Sequence, residues 1–225
     1  MRRSRQDTEP AAATRVALGI STHLGWACVA TVVATADFLR VIRTDRIETG
    51  KPGDAEALEP YHRAAGYEGA HRAAAPADPA ALINRGLNRQ RRHTLLQLRS
   101  LQTTLARSGH SPVVAALLVG RGRLAPSLDR VLASHAQIHI AEGLAVRESV
   151  ATALAELRVT VVPIEHQTLL LRAAKTLGVD QRGIAARLRA LKPEIEGAWR
   201  QEEKLAGLAA RVAVELAPRD RHLST

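Results

Sequence analysis

From Arg15 the chain reads RVALGISTHLGWACVATVV, an apolar run that breaks at His23 to Gly25 and resumes as a second run rich in β-branched residues. Two such runs around a short break predict a hairpin, with strands over 15–21 and 25–34. A third strand is expected over 38–48, after a turn at Ala36 and Asp37, so the chain opens as an antiparallel meander. Residues 50–80 are rich in Ala, Gly and Pro and are expected to form an insertion holding one short helix between loops. From Pro79 to about Ser108 the spacing is helical, with Leu87, Thr94, Leu98, Leu101 and Leu105 on one face. SPVVAALLVG is apolar throughout and predicts a strand buried on both sides, as at the centre of a parallel sheet. A long helix is expected from about Pro126 to Leu157, then the strand VTVVPI, and helices over 168–177, 181–191 and 198–216. This order predicts an α/β fold: a mixed sheet of three antiparallel and then two parallel strands, with helices on both faces. A single domain is expected over 15–217, between a disordered basic arm at 1–14 and a flexible tail at 218–225.

Charge narrows the choice of partner. The 225 residues carry a formal net charge of +10, nearly all from arginine, which favours polyanions, nucleic acid first. The aromatic residues are Trp26, Phe38, Tyr61, Tyr67 and Trp199, too few for a surface that stacks successive unpaired bases. Recognition through the backbone and shape of structured or duplex nucleic acid is therefore expected. The lone Cys28 lies within an apolar run and suits a small buried hydrophobe in a reducing compartment. With no apolar run of membrane-spanning length and no leader pattern, a cytoplasmic protein without a membrane partner is expected.

The order of elements from Arg15 to Leu216 resembles the RuvC-type resolvase branch of the RNase H-like superfamily. That resemblance implies a fold built around acids that bind Mg or Mn for phosphodiester hydrolysis. Resolvases of this kind begin Gly-Ile-Asp-x-Gly; here the residues are Gly19, Ile20 and Ser21. The family places a Glu at the end of the fourth strand, where this chain has Gly120 and Arg121. The terminal helix of the family carries two acids three residues apart, and the match here is Arg200 and Glu203. Holding two divalent ions in line with a scissile phosphate requires several convergent carboxylates, which one glutamate cannot supply.

Other residues suggest binding or a rearranged site. The turn GRGRLAPSLDR follows a buried strand, so its amides with Arg121 and Arg123 can receive a phosphate, or the arginines can simply be solvated. Arg85, Arg89, Arg92 and Arg99 form a stripe opposite the leucine face of their helix, suited to phosphates, although any surface helix carries charge there. His135, His139 and Glu142 share a face with Leu128, Val131, Leu132, Ile138, Val146, Val150 and Leu154. Ionisable groups on a buried face must pair, lose charge or bind something. Their spacing can supply three ligands to a divalent ion or a general base with its orienting acid, or it can hold a simple His–Glu hydrogen bond. Glu165 and His166 are expected at the same sheet edge. The sequence thus points to a nucleic-acid-binding protein with a degenerate or rearranged nuclease site. Its alternatives are an active metal-dependent nuclease using His135, His139, Glu142 and Glu203, with Glu165 as a further ligand candidate, and a non-enzymatic scaffold or homodimer.

Overall fold

The β-branched runs form strands close to where their pattern puts them. In the computed structural model, which describes residues 13–35, 37–69, 71–72, 74–191 and 199–217, β1 spans Thr14–His23, β2 Trp26–Ala34 and β3 Leu39–Glu48. The expected arm, apart from Ala13 and Thr14, and the expected tail lie outside the described residues. β1 and β2 pair antiparallel up to His23 opposite Trp26, and Gly25 closes the turn with φ +79°, where a side chain would be strained. The apolar run near residue 112 becomes β6, His110–Val119, and the VTVVPI run becomes β7, Thr160–Glu165. Both join in parallel, giving the expected mixed sheet of three antiparallel and two parallel strands, in the order β3-β2-β1-β6-β7.

Pleating divides the core between the two faces. Leu18, Ile20, Val29 and Ile47 pack against Leu98, Leu101 and Leu105 of α3, Pro79–Arg107, and against Val150, Ala153 and Leu154 of α5, His135–Glu156. On the other face Ala17, Val32, Ala116 and Leu118 meet α6 (Leu169–Leu177), α7 (Gln181–Ala190) and α8 (Gln201–Leu216) through Leu169, Ile184 and Leu208. Each fully buried Leu or Ile contributes about 1.5–3 kcal/mol relative to leaving it in water. Alanines at 206, 209, 210 and 213 bring α8 close to the strands. At Gly19 a Cβ would collide with the Ala206 carbonyl oxygen, so glycine is required by contact and not by backbone conformation.

Three sequence expectations need correction. The long helix is two: α4, Leu128–Leu132, and α5 are separated by Ser134, whose side chain accepts from Gln137 N and caps α5. The insertion holds two short helices, α1 (Ala55–Leu58) and α2 (Pro60–Ala64), and a hairpin of β4 (Tyr67–Glu68) and β5 (His71–Arg72). The buried stripe of α3 runs through Ile83, Gly86, Gln90 and Thr94 to Leu98, leaving Leu87 half-buried. Gln90 explains this shift of face. Its amide donates to the Ala57 carbonyl at 3.0 Å and accepts from Ser149 Oγ at 2.9 Å, so a polar link joins α1, α3 and α5.

Candidate functional site

β1, β6 and β7 run in one direction, so their C-terminal ends form one edge of the sheet. At that edge Ser21 pairs with Cys28 on the neighbouring strand. His23 bonds Glu202 at the start of α8, and its ring stacks on Trp26 with centroids 4.1 Å apart. Arg46 covers Trp26 at 3.9 Å and bonds Glu48 at 3.1 Å. Glu203 closes its own helix, with Oε2 accepting from the Arg200 backbone N at 2.8 Å. Burial, with Glu203, Glu202 and Asp45 nearby, pushes the Cys28 thiol up to about 12. These acids are engaged locally. Ser21 and Gly120 stand at the positions that the resemblance implies for two further acids.

At the end of β6 the Arg121 guanidinium donates to Glu165 Oε2 at 2.8 and 3.1 Å, so this proposed phosphate ligand is already paired. Arg123 is exposed. His166 follows β7 in a short 3₁₀ turn, His166–Thr168. The loop then runs back along α5: Gly122 lies against Ile140, and Ala125 N donates to Gln137 Oε1 at 2.7 Å. Beside it is a residue that the sequence reading did not single out. The Arg147 guanidinium lies between Gly120 and Gly143, its Nη1 3.9 and 3.8 Å from where their Cβ atoms would be. It is half-buried, burial lowers its pKa, and among the described residues it has no ion-pair or hydrogen-bond partner. The missing β-carbons leave it room.

The arginine stripe of α3 divides in two. Arg89 pairs with Asp54 and Glu56 of the insertion, and Arg85 lies 4.0 Å from Glu56. Arg92 and Arg99 are exposed, without ion partners among the described residues. The counter-charges come from α1 and its cap, about thirty positions away, and not from within the helix.

The strongest convergence of polar groups lies where α2 packs on α5. No side chain of its own caps α2. Glu142, 2% exposed, does so from α5, with Oε1 accepting from Tyr61 N at 2.8 Å and His62 N at 3.1 Å. The same oxygen lies 3.4 Å from His62 Nδ1, while Oε2 is buried without a partner. Burial pushes the Glu142 carboxyl up to about 8, against the opposing pull of these backbone N–H groups, and Glu59 raises it further. His62 is pushed down by burial, then by His139 and, less strongly, by His135, against an upward pull from Glu59. His135 and His139, exposed and one helical turn apart, complete the group, with ring centroids 5.4 and 4.8 Å from that of His62. One ligand nitrogen from each of the three histidines lies within 4.8 Å of the others. Glu142 therefore sits behind His62, and His62 takes the place in the cluster that spacing along α5 had suggested for the acid. Glu203 is on the opposite face of the sheet, so it does not join these histidines.

A separate cavity of 780 Å³ opens at the opposite edge of the sheet, lined by Arg15, Gln102, Ser111, Arg158 and Glu215 among others, and touches none of these residues. No described helix is long and apolar enough to cross a membrane.

The sequence matches no protein family model and no curated protein. The structure aligns with "T. thermophilus RuvC in complex with Holliday junction substrate" at 12% identity and a TM-score of 0.46, over 88% of this chain and 91% of that one. It also aligns with "Thermus thermophilus RuvC structure" at 13% identity and a TM-score of 0.43, over 88% of this chain and 92% of that one.

Proposed function

We propose that this protein binds structured or duplex nucleic acid through backbone phosphates at the C-terminal edge of its sheet, and does not cut it by the carboxylate and metal route of resolvases. The observation that carries this reading is Arg147, a half-buried guanidinium without a partner among the described residues, set between Gly120 at the end of β6 and Gly143 on α5. A buried cation without a counter-charge carries a desolvation cost that an incoming anion offsets, and a guanidinium presents a fork that matches phosphate. Arg123 lies on the adjoining loop, and the net charge of +10 draws polyanions toward the whole surface. Against cleavage stands the local engagement of Glu202 and Glu203, with Ser21 and Gly120 where two further acids would be needed.

The test is a fluorescence anisotropy titration with labelled duplex and with a four-way junction, the substrate class named for the aligned RuvC complex. Arg147→Met is expected to weaken binding about tenfold or more, the value of one charged hydrogen-bonding group, while the melting temperature holds. A denaturing gel with Mg or Mn is expected to show intact strands. Binding unchanged by Arg147→Met, or discrete metal-dependent cuts lost in Glu203→Gln, would overturn the reading.

A further inference from the structure

The groups already described leave one cluster without a role in phosphate binding. His62, His135 and His139 come from α2 and α5, and their nitrogens face one another across a gap, none bonded to another. Packing alone does not call for this arrangement. The rings stand edge to face or tilted, with His135 and His139 at 4.5 Å and Tyr67 closing one side at 5.3 Å from His135. Glu142 supplies a second, independent observation. A carboxylate 2% exposed, with one oxygen toward His62 Nδ1 and the other without any partner, is the orienting acid found behind metal-bound imidazoles. With Nδ1 held toward Glu142, the remaining nitrogen of His62 is the free one.

We propose that His62, His135 and His139 bind a divalent ion of the zinc class, with Glu142 as the positioning residue for His62. Three imidazole nitrogens favour Zn, Co, Ni or Cu and disfavour Mg, which prefers oxygen donors and keeps its water. Three protein ligands leave a fourth position open. Here it faces solvent through the exposed His135 and His139, and takes water or an anionic oxygen. The ion would clamp α2 of the insertion onto α5.

The experiment uses the full untagged chain, stripped with chelator and titrated with Co²⁺ and Zn²⁺ by calorimetry, with the visible spectrum of the Co²⁺ form as a second readout. The expected result is one ion per chain, a tetrahedral Co²⁺ absorption band, a melting temperature raised by Zn²⁺, and no competition from millimolar Mg²⁺. His135→Ala and His139→Ala change exposed side chains, so they should melt like the stripped wild type while losing about 100-fold or more in Co²⁺ affinity. Glu142→Gln, which keeps an acceptor for the backbone donors, should weaken binding about 10- to 100-fold. His166→Ala, away from the cluster, should change nothing. Absence of one-to-one binding, or binding that survives the His135→Ala, His139→Ala double substitution, overturns the proposal. Neither result bears on Arg147, so the metal site and the phosphate-binding reading stand or fall separately.

Discussion

Two groups of ionisable residues stand at the same end of the sheet, one on each face, and they are built differently. On the α8 face the acids are engaged, Glu202 by His23 and Glu203 by the start of its own helix. On the α5 face the ionisable groups are gathered from distant parts of the chain and left partly unused, with Oε2 of Glu142 and the exposed rings of His135 and His139 uncommitted. The uncommitted groups therefore lie on the α5 face, with Arg147 of α5 among them, although the resemblance directs attention to the α8 face.

Five tests sharpen this contrast, in order of expected size. Gly19→Ala sets a β-carbon against the Ala206 carbonyl and should destabilise the protein by at least about 3 kcal/mol in urea unfolding, since neither backbone can yield locally. Glu142→Ala removes the acceptor for Tyr61 N and His62 N, leaving buried donors unpaired at roughly 2–4 kcal/mol; Glu142→Gln should cost less than half as much. In salt titrations of DNA binding, Arg92→Ala and Arg99→Ala should each reduce the log–log slope by about 0.9. Arg89→Ala should leave that slope unchanged and cost up to about 1 kcal/mol of stability through its pairs with Asp54 and Glu56. The smallest effect is chemical. With its pKa raised to about 12, Cys28 is overwhelmingly a neutral thiol at pH 9, so iodoacetamide at that pH should modify it only after denaturant is added.

Much of the fold was legible because strand signals in this chain are local. The β-branched runs, the apolar β6 segment and the i, i+4 spacing of His135 and His139 each reside in one stretch of sequence. The break at Ser134 was legible as well, since a serine with Gln137 three positions later is a helix start; the continuous apolar stripe through Val131 and Ile138 masked it. His62 was not legible from any local pattern. It lies 73 positions before His135, in an Ala- and Gly-rich insertion, and joins the site only because α2 docks on α5. Its one advance signal was a buried acid, Glu142, in need of donors, with Pro60 marking a nearby helix start whose N–H groups were free. The pairing of Arg89 was not legible for the same reason: Asp54 and Glu56, which neutralise it, come from another element.

The account depends most on nucleic acid being held by arginines at the sheet edge and on α3. The direct measurement is the affinity of the wild-type chain for duplex and four-way junction DNA across roughly 50 to 200 mM salt. A log–log slope of about −3.6 or steeper on a probe that stays intact is the predicted result, from at least Arg147, Arg123, Arg92 and Arg99. Affinity indifferent to salt, or no binding at the lowest concentration, would contradict it.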